Sequence, residues 1–317
     1  MKKMTIKDCA GFFRERDNFC ILTHRRPDGD TLGSAATLCR GLRQLGKTAF
    51  VLYNPEITEK YHYLLEGLTT DTPAENATIV CVDTASAGML PAAFEALADK
   101  IALRIDHHAS ATSFTDYELV DGDSAACGEL IYEVLMALGV KLDIPLANAL
   151  YTAVSTDTGC FRYANTTAHT LQVAAACAAV SDDLYSLNNL HFATVSLARL
   201  QMQSYMIENG IFLQNNQVCI CPIPLEVEKK IGVTEDDMDN ISGFPRTIAG
   251  VKMAATLRIE KDTGKVKLSL RAAPGYDAGK ICATFGGGGH AGAAGASMAC
   301  TMDEAVKALI AAIPEIE

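Results

Sequence analysis

Short apolar runs alternate with helically spaced apolar residues through the first half of the chain. Residues 18–23 (NFCILT), 48–53, 77–82 (ATIVCV) and 101–105 (IALRI) read as strands. Residues 31–45 and 87–99 between them have helical spacing. Strands that alternate with helices predict an α/β fold, a mostly parallel sheet with helices on both faces. Residues 124–138, 144–156 and 167–179 then read as helices, followed by a helical stretch from 182 to 205.

The pattern changes beyond that point. Residues 210–222 and 251–272 alternate as strands do, and the second run carries the turn Asp262-Thr263-Gly264. Helices are expected at 277–284 and 302–312, completing a smaller α+β domain. The predicted division is a first domain over 1–190, a helical connector over 191–205 and a second domain over 206–317. The one low-complexity segment is 285–295 (FGGGGHAGAAG).

Composition narrows the class. The chain has 317 residues, 49 % of them apolar and 21 % charged, as a folded protein of two domains would. No apolar run approaches the roughly 20 residues that span a bilayer, and the polar start lacks a signal-peptide core. Eleven dispersed cysteines predict reduced, buried thiols, so a cytoplasmic, membrane-free protein is expected. Cys219 and Cys221, two apart in an alternating run, predict a strand with both thiols on one face. The net charge of −11 argues against a broad basic track for long nucleic acid. It leaves room for an anionic substrate held by bound cations.

Polar clusters follow three of the predicted strands, where ligands of such sheets bind. After the first strand, His24, Asp28 and Asp30 stand in THRRPDGD. Asp83 ends ATIVCV, and Asp106-His107-His108 ends IALRI. A fourth carboxylate, Asp157, closes an apolar helix, where it opposes the helix dipole unless a cation is near. Converging carboxylates repel one another, and two divalent cations would balance them, one carboxylate bridging the pair. Nitrogen and oxygen donors without thiolate suit manganese, with magnesium, cobalt or iron(II) as alternatives.

In order and spacing these motifs resemble the DHH family of phosphoesterases. The resemblance spans essentially the whole chain. It implies that His24 and Asp28 hold one cation, that Asp30, His107 and Asp157 hold the other, and that Asp83 bridges them. It further implies that His108 contacts the phosphate as an acid, and that Asp106 orients a ligand rather than binding metal.

In the second domain Gly286-Gly287-Gly288-Gly289-His290 resembles the glycine-rich motif of the DHH-associated domain. Gly287, Gly288, Gly289 and His290 would meet an anionic ligand through backbone amides and an imidazole. Ser269 and Arg271 share a strand face, and Arg271 suits a terminal phosphate. An active-site cleft between the domains is expected. The segment 291–295 (AGAAG) departs from relatives that carry a polar residue near its start, which leaves the contacts there open. Phe161 and Tyr163 can stack on a base or serve as packing aromatics.

Within that family the compact two-domain form resembles the oligoribonuclease type, and the resemblance implies a substrate of short oligoribonucleotides or dinucleotides, cleaved to mononucleotides, or 3′-phosphoadenosine 5′-phosphate. Alternatives are a cyclic or linear di-AMP phosphodiesterase, an inorganic pyrophosphatase and a non-catalytic nucleotide-binding protein. A homodimer stays open.

Overall fold

Continuous apolar runs, with no polar alternation, belong to strands buried on both faces. A computed structural model describes residues 2–238 and 240–316. The chain divides into two units, Met1–Thr194 and Val195–Glu317.

The first unit holds strands β1 (Lys2–Lys3), β2 (Phe19–Leu22), β3 (Ala49–Leu52), β4 (Thr69–Thr70), β5 (Thr78–Val82), β6 (Ile101–Asp106) and β7 (Tyr117–Val120). Every pairing is parallel, in the order β1-β7-β6-β5-β2-β3-β4. Its helices are α1 (Ile6–Glu15), α2 (Gly29–Gln44), α3 (Cys127–Leu138), α4 (Ile144–Asp157), α5 (Ala168–Ala178) and α6 (Leu184–Asn188). Phe19, Ile21, Val80, Val82, Leu103 and Ile105 join one core with residues of α1, α2 and α3. Their neighbours Cys20, Leu22, Ile79, Cys81 and Ile101 join another with Leu90 and Phe94.

Two expected helical stretches are broken. Residues 87–99 form 3-10 turns, Ala87–Met89 and Ala92–Lys100, separated at Pro91, which has no amide hydrogen to continue a helix. The 182–205 stretch ends α6 in a π-turn, Asn189–Ala193, and resumes after an extended Thr194. Helix α1 was not expected. Its apolar face, Cys9, Phe12 and Phe13, is flanked by charged residues that mask it, and a Thr5–Asp8 capping box starts it.

From β2 the chain steps to β3 and β4 on one side; from β5 it steps to β6 and β7 on the other. Strands β2 and β5 therefore flank the point where the winding reverses, the usual place for a ligand crevice. Helix α2 approaches α4 there through missing side chains. A Cβ on Gly33 would lie 2.6 Å from the Ala149 carbonyl oxygen, and one on Gly29 would lie 2.4 Å from Thr156 Oγ1. That second contact places the start of α2 against the last turn of α4.

The second unit begins with α7 (Leu197–Glu208). Strands β8 (Ile211–Leu213), β9 (Val218–Ile223), β10 (Met253–Ile259), β11 (Val266–Ala272), β12 (Gly288–Gly289) and β13 (Ala293–Met298) form a mixed sheet ordered β12-β13-β11-β10-β9-β8. Helices α8 (Leu225–Ile231), α9 (Ala278–Ala283) and α10 (Met302–Ala312) complete it. Val218 and Ile220 enter one core of the unit, Cys219 and Cys221 the other. No helix among the described residues is long and apolar enough to cross a membrane.

Candidate functional site

Strands β6, β5 and β2 are neighbours, so their carboxyl ends deliver His107, Asp83 and His24 to one place. Asp28 caps α2, accepting from the amides of Asp30 and Thr31, both at 3.1 Å. Asp157 is the last residue of α4. The structure thus brings together all six residues expected to hold cations. His24, Asp28 and Asp83 form one group whose donor atoms lie within 4.8 Å of one another, and Asp30, His107 and Asp157 form a second. Asp83 also groups with His107 and His108.

His24 and His107 present the same edge. Nδ1–H of His24 donates to the Arg25 carbonyl at 2.7 Å, and Nδ1–H of His107 to the Ser124 carbonyl at 3.1 Å. Each Nε2 then faces the carboxylates, the orientation that metal-ligating histidines take. His107 Nε2 stands 3.6 Å from Asp30, 3.4 Å from Asp83 and 3.5 Å from Asp157. His24 Nε2 stands 3.5 Å from Asp83 and 4.0 Å from Asp28.

Asp83 is at the centre. It is buried with a left-handed backbone, φ 52°, a conformation that costs an aspartate energy and tends to persist at functional sites. Thr31 Oγ1 donates to its Oδ2 at 2.6 Å, while its Oδ1 is buried without a hydrogen-bond partner among the described residues. A buried carboxylate oxygen left so calls for a counter-ion. The donor set, imidazole nitrogen and carboxylate oxygen, fits divalent cations.

Asp30 has a second task. Ala126, which precedes α3, offers no side-chain cap, and Asp30 takes its place, accepting from Cys127 N at 2.6 Å and Gly128 N at 3.0 Å. Ser34 Oγ donates to it as well, at 3.0 Å.

The charges are strongly coupled. Burial works against a charged His107, but the adjoining Asp83 carboxylate, with the charges of Asp30 and Asp157, raises it to about 11. For His24, burial is likewise outweighed by Asp83 and Asp28, and the ring is raised to about 9. Burial, with the charges of Asp83 and Asp28, raises Asp157 to about 6. Asp83 is held well below the usual carboxylate range: burial opposes this, and the imidazoles of His107 and His24 beside it prevail. A cation at these donors would take the place of the imidazole protons.

His108 is turned differently. Its Nδ1–H donates to Asp106 Oδ1 at 2.7 Å, which leaves Nε2 for another partner. That bond raises the ring above its ordinary value. Sequence reasoning missed several supports. Asn54 Nδ2 donates to Thr23 Oγ1 at 3.0 Å and to the His24 carbonyl at 2.9 Å, fixing the turn after β2. Thr31 and Arg104 were also missed; the signal for Arg104 was a charge inside an apolar strand.

In the second unit, Leu268 and Leu270 of β11 are buried, while Ser269 and Arg271 are half-buried on the opposite face. Ser269 pairs with Gly295 of β13, and Gly295 with Gly288 of β12, so one sheet row joins Ser269 to the glycines. The glycines differ among themselves. A Cβ on Gly287 would lie 2.1 Å from the Gly295 carbonyl oxygen, and one on Gly289, 2.6 Å from that of Ala293. Both are required by packing. Gly288 is exposed with open space about it, and His290 is exposed at the β12–β13 turn, its amide bonded to the Ala293 carbonyl at 2.8 Å. Phe161 packs with Tyr151 in a buried cluster, and Tyr163 is half-exposed over Gly159.

The model for the DHH family, N-terminal domain, matches residues 18–154, and that for the DHHA1 domain matches 215–316. The bifunctional oligoribonuclease and PAP phosphatase NrnA of Thermus thermophilus is 31% identical over 301 residues, covering 93% of this chain and 89% of the relative. Its namesake in Bacillus subtilis is 27% identical, covering 92% and 93%. An exopolyphosphatase-related protein from Bacteroides fragilis shares the fold, with a TM-score of 0.85 and 23% identity over 97% of this chain and 94% of that one. The exonuclease RecJ bound to manganese shares it more distantly, with a TM-score of 0.55 and 14% identity over 99% and 96%.

Proposed function

The chain belongs to the DHH family of phosphoesterases, and from that premise we propose that it hydrolyses short oligoribonucleotides or dinucleotides to mononucleotides, and dephosphorylates 3′-phosphoadenosine 5′-phosphate. The observation that carries the reading is the convergence on Asp83 of two histidines and three further carboxylates, with one Asp83 oxygen buried and unbonded among the described residues. The named relatives of Thermus thermophilus and Bacillus subtilis support the substrate class.

His24 and Asp28 would hold one divalent cation and Asp30, His107 and Asp157 a second, with Asp83 shared. When bound, such a pair, manganese first among the candidates, supplies an activated water and neutralises charge on the phosphate. The chain's own residues do the rest. Asp83 keeps its position because Thr31 fixes one oxygen and the strand end fixes the backbone. His108, oriented by Asp106, presents Nε2 to the phosphate and donates a proton to the leaving oxygen. In the second unit, Ser269, Arg271, His290 and the backbone around Gly287, Gly288 and Gly289 bind the nucleotide end that does not react. A net charge of −11 offers little attraction for a long strand. A cytoplasmic setting accords with eleven free cysteines, most of them buried.

Turnover with added manganese tests this reading. A ribodinucleotide and a pentanucleotide should exceed a 24-mer in kcat/KM by about tenfold or more, one tenfold step being about 1.4 kcal/mol. Equal efficiency on the 24-mer would reject the short-substrate reading. Turnover of pyrophosphate alone would reassign the reaction.

A further inference from the structure

Strand β6 buries a cation that the reaction scheme has not used. Arg104 is 1% exposed, two residues before Asp106. Its Nη1 donates to the carbonyls of Thr84 at 3.2 Å and Ala85 at 2.9 Å, the two residues that follow Asp83. The same nitrogen stands 3.6 Å from Asp106 Oδ2, and Nη2 stands 3.2 Å from Glu118 Oε2. The guanidinium lies 5.0 Å from the centre of the Phe114 ring. Glu118 is buried too, and accepts from Ser113 Oγ at 3.0 Å and the Phe114 amide at 3.1 Å.

An apolar side chain would serve a strand covered on both faces at lower cost, because desolvating a buried ion pair offsets much of its attraction. The arrangement is therefore better explained by what it orders. Asp106 Oδ2 accepts no hydrogen bond among the described residues, so the Arg104 charge is what faces it. The other oxygen, Oδ1, holds His108 Nδ1. Glu118, Arg104, Asp106 and His108 thus form one line from the core to the reacting group.

We propose that Arg104 is a positioning residue for the hydrolysis: pinned by Thr84, Ala85 and Glu118, it fixes the Asp106 carboxylate, which in turn aims the His108 ring at the phosphate. The inference rests on the reading of His108 as the group that serves the phosphate. A fixed guanidinium suits this task, since a planar fork holds several acceptors at once and a lysine ammonium on a flexible stem does not.

The test measures kcat, KM and bound manganese for Arg104→Met and Arg104→Lys, each alone and combined with His108→Ala. Circular dichroism and melting temperature check folding. Arg104→Met should lower kcat about 10²-fold, the scale of a small misplacement at a reacting group, with KM and metal content little changed. Arg104→Lys keeps the charge and should recover part of that loss; it also carries the test alone should Arg104→Met fail to fold. In the His108→Ala background either substitution should cost less than about twofold, because residues acting as a unit are not additive. Losses that multiply in that background, or a loss of bound manganese, would overturn the proposal and leave Arg104 a support for the turn after Asp83. If His108→Ala alone left kcat unchanged, the reading of His108 would fail first, and the inference with it.

Discussion

The two units treat their candidate functional groups in opposite ways. In the first, Asp30, Asp83, Asp106 and His24 are buried at strand and helix ends, held in turn by an amide, a hydroxyl, an imidazole and a carbonyl partner. In the second, Gly288 and His290 lie exposed on the edge pair β12–β13, and Ser269 and Arg271 are half-buried beside it. The difference fits the two proposed tasks. Like charges can be gathered only where the fold holds them against repulsion, and such rigidity is what a cation pair requires. Gripping a nucleotide end needs reachable donors and a backbone that a ligand can approach closely, which an edge strand of glycine provides.

The largest effect should come from the centre of the first unit. Asp83→Ala removes the carboxylate shared by two donor groups, so activity should fall by about 10³-fold or more, several kcal/mol of transition-state stabilisation. Bound manganese, measured by elemental analysis, should drop below one equivalent. Full activity, or two retained equivalents, would remove Asp83 from its bridging role.

A smaller and more selective loss is expected at the second unit. Arg271→Ala should lower kcat/KM for a dinucleotide about 10- to 100-fold, the range for a charge-assisted hydrogen bond of about 1.5–3 kcal/mol. A small artificial phosphodiester should be largely spared. Equal losses on both substrates would mean that Arg271 supports the fold, and the division of labour between the units would collapse.

The smallest effect is a proton count. His24 is raised to about 9 and His107 to about 11, so both rings carry a proton at pH 8 before a cation binds. Metal uptake requires neutral imidazoles and should release protons, increasingly so as pH falls and more of the rings are charged. Calorimetry in two buffers of different ionisation enthalpy reads this release directly. Uptake without proton release at pH 8 would show that neither ring gives up a proton to the cation.

Much of the site was legible before any coordinates. His24, Asp28, Asp30, Asp83 and His107 follow apolar runs closely, and a charge that ends a buried strand stands out from its surroundings. The glycines were legible only as a group: packing against β13 demands Gly287 and Gly289, whereas Gly288 faces open space. Helix α1 escaped notice because its charged residues dilute a short apolar face. The expected helix at 87–99 gave way to 3-10 turns because Pro91 interrupts the hydrogen-bond ladder.

Local pattern determined which segments are strands, which residue types stand at their ends, and hence the chemistry open to this chain. Apolar periodicity and polar punctuation act over a few residues, so a linear reading captures them. Tertiary structure alone decided that β2 and β5 are neighbours, that Asp30 caps α3, and that Arg104 stands between Asp106 and Glu118. The first two join residues far apart in the chain, the third depends on β6 lying beside β7, and none leaves a periodic trace. Their partners are set by strand order and by helices packed closely enough for a backbone amide of one to meet a carboxylate of another.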